Sequence, residues 1–202
     1  MRRKDFTGAG EDTGTVLSSA PIGYLGIVDD SGYPRVAPLN FVWHAGKIYF
    51  HGAADGEKFS YFAAGPQKAA FSADIPYSSI PSYWISEKYA CPATIFFKSV
   101  HIKGMGDVVR DAREKASALQ KLMEKYQPEG GHAPIAPDDP LYQKPLAETA
   151  VFRIDPEFVA VKSKFAQNRP PEVRRDIIAR LEVRNEGMDK KTAEEIRKTL
   201  ET

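Results

Sequence analysis

Between His51 and Lys58 the chain reads His-Gly-Ala-Ala-Asp-Gly-Glu-Lys, which gathers the residue types best suited to meeting an anion. Gly52, Ala53, Ala54 and Gly56 keep bulky side chains away from the point where a predicted strand turns into a predicted helix. Backbone N–H groups and the Lys58 amine are thereby left able to meet a phosphate. Arg35, on a neighbouring predicted strand, can reach the same anion; two solvated surface charges are the alternative. The pattern is not a Walker loop, since no GKS/T ending follows, nor a dinucleotide fingerprint, since GxGxxG is missing here. His51 closes the strand, where an imidazole can donate a hydrogen bond or a proton to a bound substrate. A single histidine in that place can equally be structural.

Such groups need a scaffold, and the flanking sequence predicts one. Val36, Leu39, Phe41 and Trp43 are strand formers, His44-Ala45-Gly46-Lys47 makes a turn, and Ile48-Tyr49-Phe50 resumes the strand. Asn40 interrupts the apolar run, and its amide would need partners if buried. With a strand over residues 22–28 and a turn at Asp29-Asp30-Ser31-Gly32, residues 22–51 predict a three-stranded antiparallel meander. Helices are predicted over 11–19 and 57–64, ended by Ala20-Pro21 and Gly65-Pro66. A strand follows over 67–75 with Ala69, Phe71 and Ala73 on one face. Residues 76–92, holding Tyr77, Tyr83, Trp84 and Tyr89, predict an irregular loop that forms either an aromatic wall over a planar ring or a dimer seam.

Residues 94–109 predict one long strand bent or bulged at Gly104-Met105-Gly106. A helix over 110–126 carries Ala116, Leu119, Leu122 and Met123 as its apolar stripe. Residues 127–145 predict loop, and residues 149–154 and 158–161 predict a final strand pair or one interrupted strand, split by Asp155-Pro156. Two helices over 171–184 and 190–200 end the chain, separated by Asn185-Glu186-Gly187.

The pieces Met1-Arg2-Arg3-Lys4-Asp5, Gly32-Tyr33-Pro34, Pro38-Leu39-Asn40-Phe41 and Tyr49-Phe50-His51-Gly52-Ala53 are followed by Gly56 and Lys58, then by Cys91, Thr94, Ser99-Val100 and Gly104. In that order and rough spacing the chain resembles the flavin-binding split barrels related to pyridoxamine 5′-phosphate oxidase, and within them the nitroimidazole-resistance branch. The resemblance is good over residues 1–110 and looser over 145–165. It implies a mainly β fold, a six-stranded antiparallel split β-barrel with peripheral helices over residues 1–165, and a C-terminal helical extension over 166–202. It further implies a homodimer holding flavin mononucleotide (FMN) at the subunit interface. The implied FMN contacts are Arg35, Pro38, Leu39, Asn40, Phe41, His51, Gly52, Gly56, Lys58 and Ser99, with the phosphate near Lys58 and the ring near the strand from Pro38 to Phe41.

The implied activity is FMN-dependent oxidoreduction of a small acceptor, a nitroaromatic on the guidance of the branch, with His51 as the catalytic proton donor. Pyridoxamine 5′-phosphate oxidation is the alternative, although residues 190–202 read as a charged helix rather than the strand its substrate-binding segment would use. Non-catalytic flavin or haem binding, or a regulatory role, also stays open. Gln167-Asn168-Arg169-Pro170 resembles a C-terminal tract of flavin-binding members described as regulators.

Composition narrows the classes. A chain of 202 residues with 42% hydrophobic content can bury one ordinary core, and a net charge of +1 gives no reason to expect nucleic acid. The single Cys91 excludes an internal disulfide and has no neighbouring base that would make it a catalytic thiolate. No metal is expected, because His44, His51, Cys91 and His101 show no CxxC, HxH or HExxH spacing. No apolar segment follows the basic start and no run is long enough to cross a membrane, so a cytoplasmic location is expected.

Overall fold

A computed structural model describes residues 6–7, 12–29 and 31–201 of the chain. The opening motif Met1-Arg2-Arg3-Lys4-Asp5, Glu11 of the predicted first helix and Asp30 of the predicted turn lie outside the described residues. The architecture is the expected mainly antiparallel sheet with peripheral helices, in the strand order β2-β1-β5-β6-β7-β4-β3. The strands are β1 (Gly23–Val28), β2 (Pro34–Leu39), β3 (Val42–His44), β4 (Lys47–Ala53), β5 (Gln67–Ile80), β6 (Thr94–Val108) and β7 (Thr149–Lys164). Around them lie α1 (Asp12–Ser19), α2 (Glu57–Ala63), α3 (Ala112–Tyr126), α4 (Pro140–Glu148), α5 (Pro171–Arg184) and α6 (Asp189–Lys198). No described helix is long and apolar enough to cross a membrane.

Backbone packing groups the chain into two compact units, one of residues 17–73 and 101–159, the other of residues 1–16, 74–100 and 160–202. In the first unit the predicted meander is broken in its middle. β1 pairs with β2 from Gly23↔Leu39 to Val28↔Pro34, and β3 pairs with β4 from Val42↔Tyr49 to His44↔Lys47. The run expected as one strand is therefore two, consecutive in the chain yet at opposite ends of the strand order, giving seven strands where six were expected. A sheet whose two edges are joined by Asn40-Phe41 must curl back on itself, which is the split barrel. Phe41 and Phe71 meet edge to face at 4.8 Å beneath Gly23, where any Cβ would strike both rings. Phe50 and Phe152, register partners on β4 and β7, stack at 5.1 Å.

Helix α3 starts at Asp111, whose carboxylate accepts from the Glu114 N–H at 2.7 Å, and its inner side packs on Val42, Tyr49 and Val151. Helix α4 was not expected, because the prolines of 127–145 read as loop. Asp139 caps it by accepting from the Leu141 N–H at 2.9 Å, and Pro140 occupies its first turn, where a missing N–H costs nothing.

The glycines of β6 act by close approach, and the strand continues through them. A Cβ on Gly104 would lie 2.1 Å from the Asp155 carbonyl oxygen, and one on Gly106 would lie 2.5 Å from the Phe62 ring. Backbone packed that tightly keeps β7 continuous through Asp155-Pro156, where a break was expected. Gly104→Ala is expected to destabilise the protein by about 1–3 kcal/mol or more, because the opposing atom is main chain and has little room to yield. An unchanged urea midpoint would contradict that packing.

In the second unit, residues 76–80 continue β5, so the irregular segment is shorter than expected and Tyr77 sits on a strand. Trp84 lies in a short 3-10 turn, half-buried against the cluster that α5 and α6 form with Ile80, Phe96 and Phe165. The Arg184 guanidinium stands 4.9 Å from its ring centre. The C-terminal helix thus supplies part of the cover for Trp84.

Candidate functional site

In the first unit, the end of β4 and the start of α2 bring His51, Gly52, Gly56 and Lys58 together. Lys58 is the second residue of α2 and folds back over β4: a Cβ on Gly52 would lie 3.2 Å from Lys58 Cε and 3.7 Å from Nζ. Glycine at that position leaves the amine its place. Among the described residues Lys58 has no acidic partner.

Arg35 comes to the same place from β2 but is engaged there. Its Nε donates to Glu57 Oε1 at 2.9 Å and its Nη2 to Oε2 at 3.1 Å, in a two-point pair across solvent. Glu57 precedes Lys58 in the chain, and its carboxylate forms its ion pair with Arg35 and not with Lys58. An exposed pair of this kind contributes little stability, and its consequence is to fix the side of α2 that faces β2.

His51 is exposed at the strand end. Its pKa is held below the usual value, first by the desolvation its ring does undergo and then by the positive charge of Lys58. Near neutral pH the free imidazole is therefore mostly neutral, able to donate one N–H. On the same strand Tyr49 turns to α3 and donates to Glu114 Oε1 at 2.9 Å; burial, then that hydrogen bond, push its pKa up to about 12.

Pro38, Leu39, Asn40 and Phe41 form the crossing from β2 to β3. Leu39 and Phe41 are buried, whereas Pro38 and Asn40 are exposed. The Asn40 amide therefore faces solvent at a sheet seam and needs no internal partner. Two residues behind this crossing were not found in the sequence. The Tyr126 hydroxyl accepts from the Phe41 N–H at 3.0 Å and lies 3.0 Å from the Pro21 carbonyl, to which it can donate. Lys125 Nζ stands 3.5 Å from the Phe41 ring centre and donates to the Leu17 carbonyl at 3.0 Å. Burial lowers the Lys125 pKa to about 8. Both residues belong to the last turn of α3, 85 positions from Phe41 in the case of Tyr126, and no local pattern connects segments that far apart. Ser99 is buried on β6 in the second unit. Among the described residues no group of three or more His, Cys, Asp and Glu side chains is placed to hold a metal.

The donor set fits the phosphate end of a flavin mononucleotide. An amine that makes no ion pair among the described residues stands over a glycine cradle that a Cβ would crowd, and an imidazole N–H is available beside it.

The profile of the family described as pyridoxamine 5′-phosphate oxidase matches residues 11–163. A comparison with curated proteins finds no match. Among solved structures, a putative 5-nitroimidazole antibiotic resistance protein from Bacteroides thetaiotaomicron is similar with TM-score 0.62 and 18% identity, over 78% of this chain and 85% of that one. The FAD and haem binding protein from Mycobacterium smegmatis gives TM-score 0.66 and 16% identity over 87% and 80% of the two chains. The flavocytochrome Anf3 from Azotobacter vinelandii gives 0.64 and 20% over 77% and 67%. At these identities the solved structures show a shared fold.

Proposed function

The chain belongs to the pyridoxamine 5′-phosphate oxidase family, whose profile spans residues 11–163, and from that premise we propose that it binds FMN non-covalently and reduces a small acceptor, a nitroaromatic. The observation that carries the reading is the Lys58 amine held over Gly52 without an acidic partner, beside His51. Bound flavin would supply the electron transfer, and the residues would place and tune it. Lys58 would take the phosphate. Pro38, Leu39, Asn40 and Phe41 would meet the ring, with Leu39 and Phe41 anchored in the core and Asn40 offering its amide. Arg35 would act through its pair with Glu57, setting where α2 and hence Lys58 stand.

His51 would hold a proton or an N–H at the acceptor. Its lowered pKa favours the neutral ring in the free protein, and an anion on Lys58 would remove the charge that contributes to that lowering, making protonation easier when the site is filled. The likeness to the nitroimidazole-resistance fold supports a nitroaromatic acceptor over pyridoxamine phosphate. A homodimer with FMN between subunits, including the buried Ser99, and a cytoplasmic location complete the proposal.

The experiment is flavin titration by fluorescence. Lys58→Ala is expected to weaken FMN binding roughly ten- to a hundredfold, the worth of one charge-assisted phosphate contact. Lys47→Ala, at the other end of β4 and paired with Asp155 at 2.6 Å, should leave FMN affinity unchanged. Equal affinities for wild type and Lys58→Ala would remove the phosphate assignment.

A further inference from the structure

Phe41 sits where the sheet changes edge, and it belongs to neither neighbouring ladder: the β1–β2 pairing reaches Leu39 and the β3–β4 pairing starts at Val42. The residue is fully buried, so its N–H and carbonyl need partners that neither ladder supplies. The hydroxyl of Tyr126 is that partner. It accepts from the Phe41 N–H at 3.0 Å and stands 3.2 Å from the Phe41 carbonyl and 3.0 Å from the Pro21 carbonyl, within donating reach of either. One hydroxyl from the end of α3 thus serves both backbone polar groups of the residue that joins the two sheet edges.

The ring of Phe41 is held as closely. Phe71 meets it edge to face, and Lys125 Nζ stands 3.5 Å from its centre while donating to the Leu17 carbonyl at 3.0 Å. Lys125 is a costly residue for cover alone. It forms no ion pair among the described residues, and a methionine of similar length would fill the space with no charge to desolvate. On its own helix Glu124 pairs with Lys121 at 2.6 Å, and the Tyr126 ring centre is 5.2 Å from Lys125 Nζ. His44 of β3 faces Ser117, and α1 meets Lys125 with the Leu17 carbonyl. All of these residues belong to the first unit. Just before Phe41 stand Pro38 and Asn40, both exposed, which the FMN proposal sets against the flavin ring.

Resting on that proposal, we infer that Tyr126 and Lys125 are positioning residues for the flavin ring: acting through Phe41, they hold the segment from Pro38 to Asn40 in the conformation that accepts it. The phosphate end is left to Lys58. A crossing released from this clamp populates the accepting conformation less, and the apparent affinity of every ring ligand falls by that fraction, with or without a phosphate.

Fluorescence titration with FMN and with riboflavin reads the two ends separately. Tyr126→Phe, which deletes the hydroxyl alone, is expected to weaken both ligands by the same factor, roughly three- to tenfold, and so to keep the wild-type preference for FMN. Lys58→Ala gives the opposite pattern, loss of the preference with riboflavin binding unchanged. Burial brings the Lys125 pKa down to about 8, so the cation over Phe41 is present below that pH and lost above it. Riboflavin affinity of wild type should therefore fall severalfold from about pH 7 to about pH 9. Lys125→Arg, which stays charged, should hold the neutral-pH affinity throughout, and Lys125→Met the weakened affinity throughout. A merely structural role would lower the urea midpoint and leave the ligand affinities of the folded protein and the pH limb unmoved. If Tyr126→Phe fails to fold, the two Lys125 variants carry the test. The inference is overturned by unchanged riboflavin affinity in Tyr126→Phe, by loss of its preference for FMN, or by a pH limb that survives in Lys125→Arg. A wild type that binds neither flavin overturns the FMN proposal and this inference with it, whereas a wild type that binds both and is matched by Tyr126→Phe overturns the clamp alone.

Discussion

Replacing His51 by alanine is expected to leave flavin bound and to lower turnover of a nitroaromatic acceptor by ~10²–10⁴-fold, the usual worth of a positioned acid or base. The side chain is exposed, so its loss leaves no cavity, and Phe50 and Phe152 beneath it keep the strand in place. The pH profile distinguishes chemistry from packing. Because desolvation and then Lys58 hold the His51 pKa below its ordinary 6.5, the protonated fraction declines as pH rises through that lowered value. Wild-type turnover should fall along the same limb and the variant should be flat there. Lys58→Ala, measured with enough flavin to saturate, should move the limb to higher pH. A variant that turns over as fast as wild type, with the same profile, would make His51 structural.

The largest expected stability effect lies far from that chemistry in sequence. Asp189 is buried, its side chain 2% exposed, and it accepts from Arg184 Nη2 at 2.7 Å and Nε at 2.8 Å, from Ser78 Oγ at 2.5 Å and from the Glu186 N–H at 3.0 Å. Thr192 joins the same cluster through its hydroxyl, which accepts from the Ser78 N–H at 3.1 Å. Asp189→Ala takes the acceptor from the Ser78 hydroxyl and the Glu186 N–H and the counter-charge from the partly exposed Arg184, and is expected to cost about 2–4 kcal/mol. The Arg184 hydrogen bonds, first among the causes, hold the Asp189 carboxyl well below the usual carboxylate range. A carboxyl with a depressed folded-state pKa contributes its stability fully above the unfolded value of about 3.9, and loses it as pH falls below that toward the folded one. The difference between wild type and variant in urea should therefore be full at neutral pH and shrink in strong acid. Equal midpoints at neutral pH would refute the role given to the cluster.

What could be read in the sequence follows from the range of the interactions. Ala69, Phe71 and Ala73 alternate on β5 and are buried as the period of two required, and α3 is where its apolar stripe and the Asp111 cap put it. Gly52 and Lys58 are six positions apart across one turn, so their closeness was legible locally. The same locality misled elsewhere. Asp155-Pro156 reads as a break, but β6 passes so close at Gly104 that the strand continues. Arg35 reads as a second phosphate cation, and the carboxylate that engages it, Glu57, lies 22 positions away in the very octet that looked like an anion loop. Asn40 reads as an interruption within one strand, and it is exposed where that strand is really two. Tyr126, Lys125 and Asp189 meet their partners across segments the fold brings together, with no spacing to announce them.

The central claim is that flavin is held by its phosphate on Lys58. The measurement that tests it most directly is fluorescence titration of wild type and Lys58→Ala with FMN and with riboflavin, which shares the ring and lacks the phosphate. The account predicts that wild type prefers FMN to riboflavin by at least roughly tenfold, and that Lys58→Ala binds both equally at about the riboflavin level. A wild type that binds the two alike, or a variant that keeps the full preference for FMN, would contradict it.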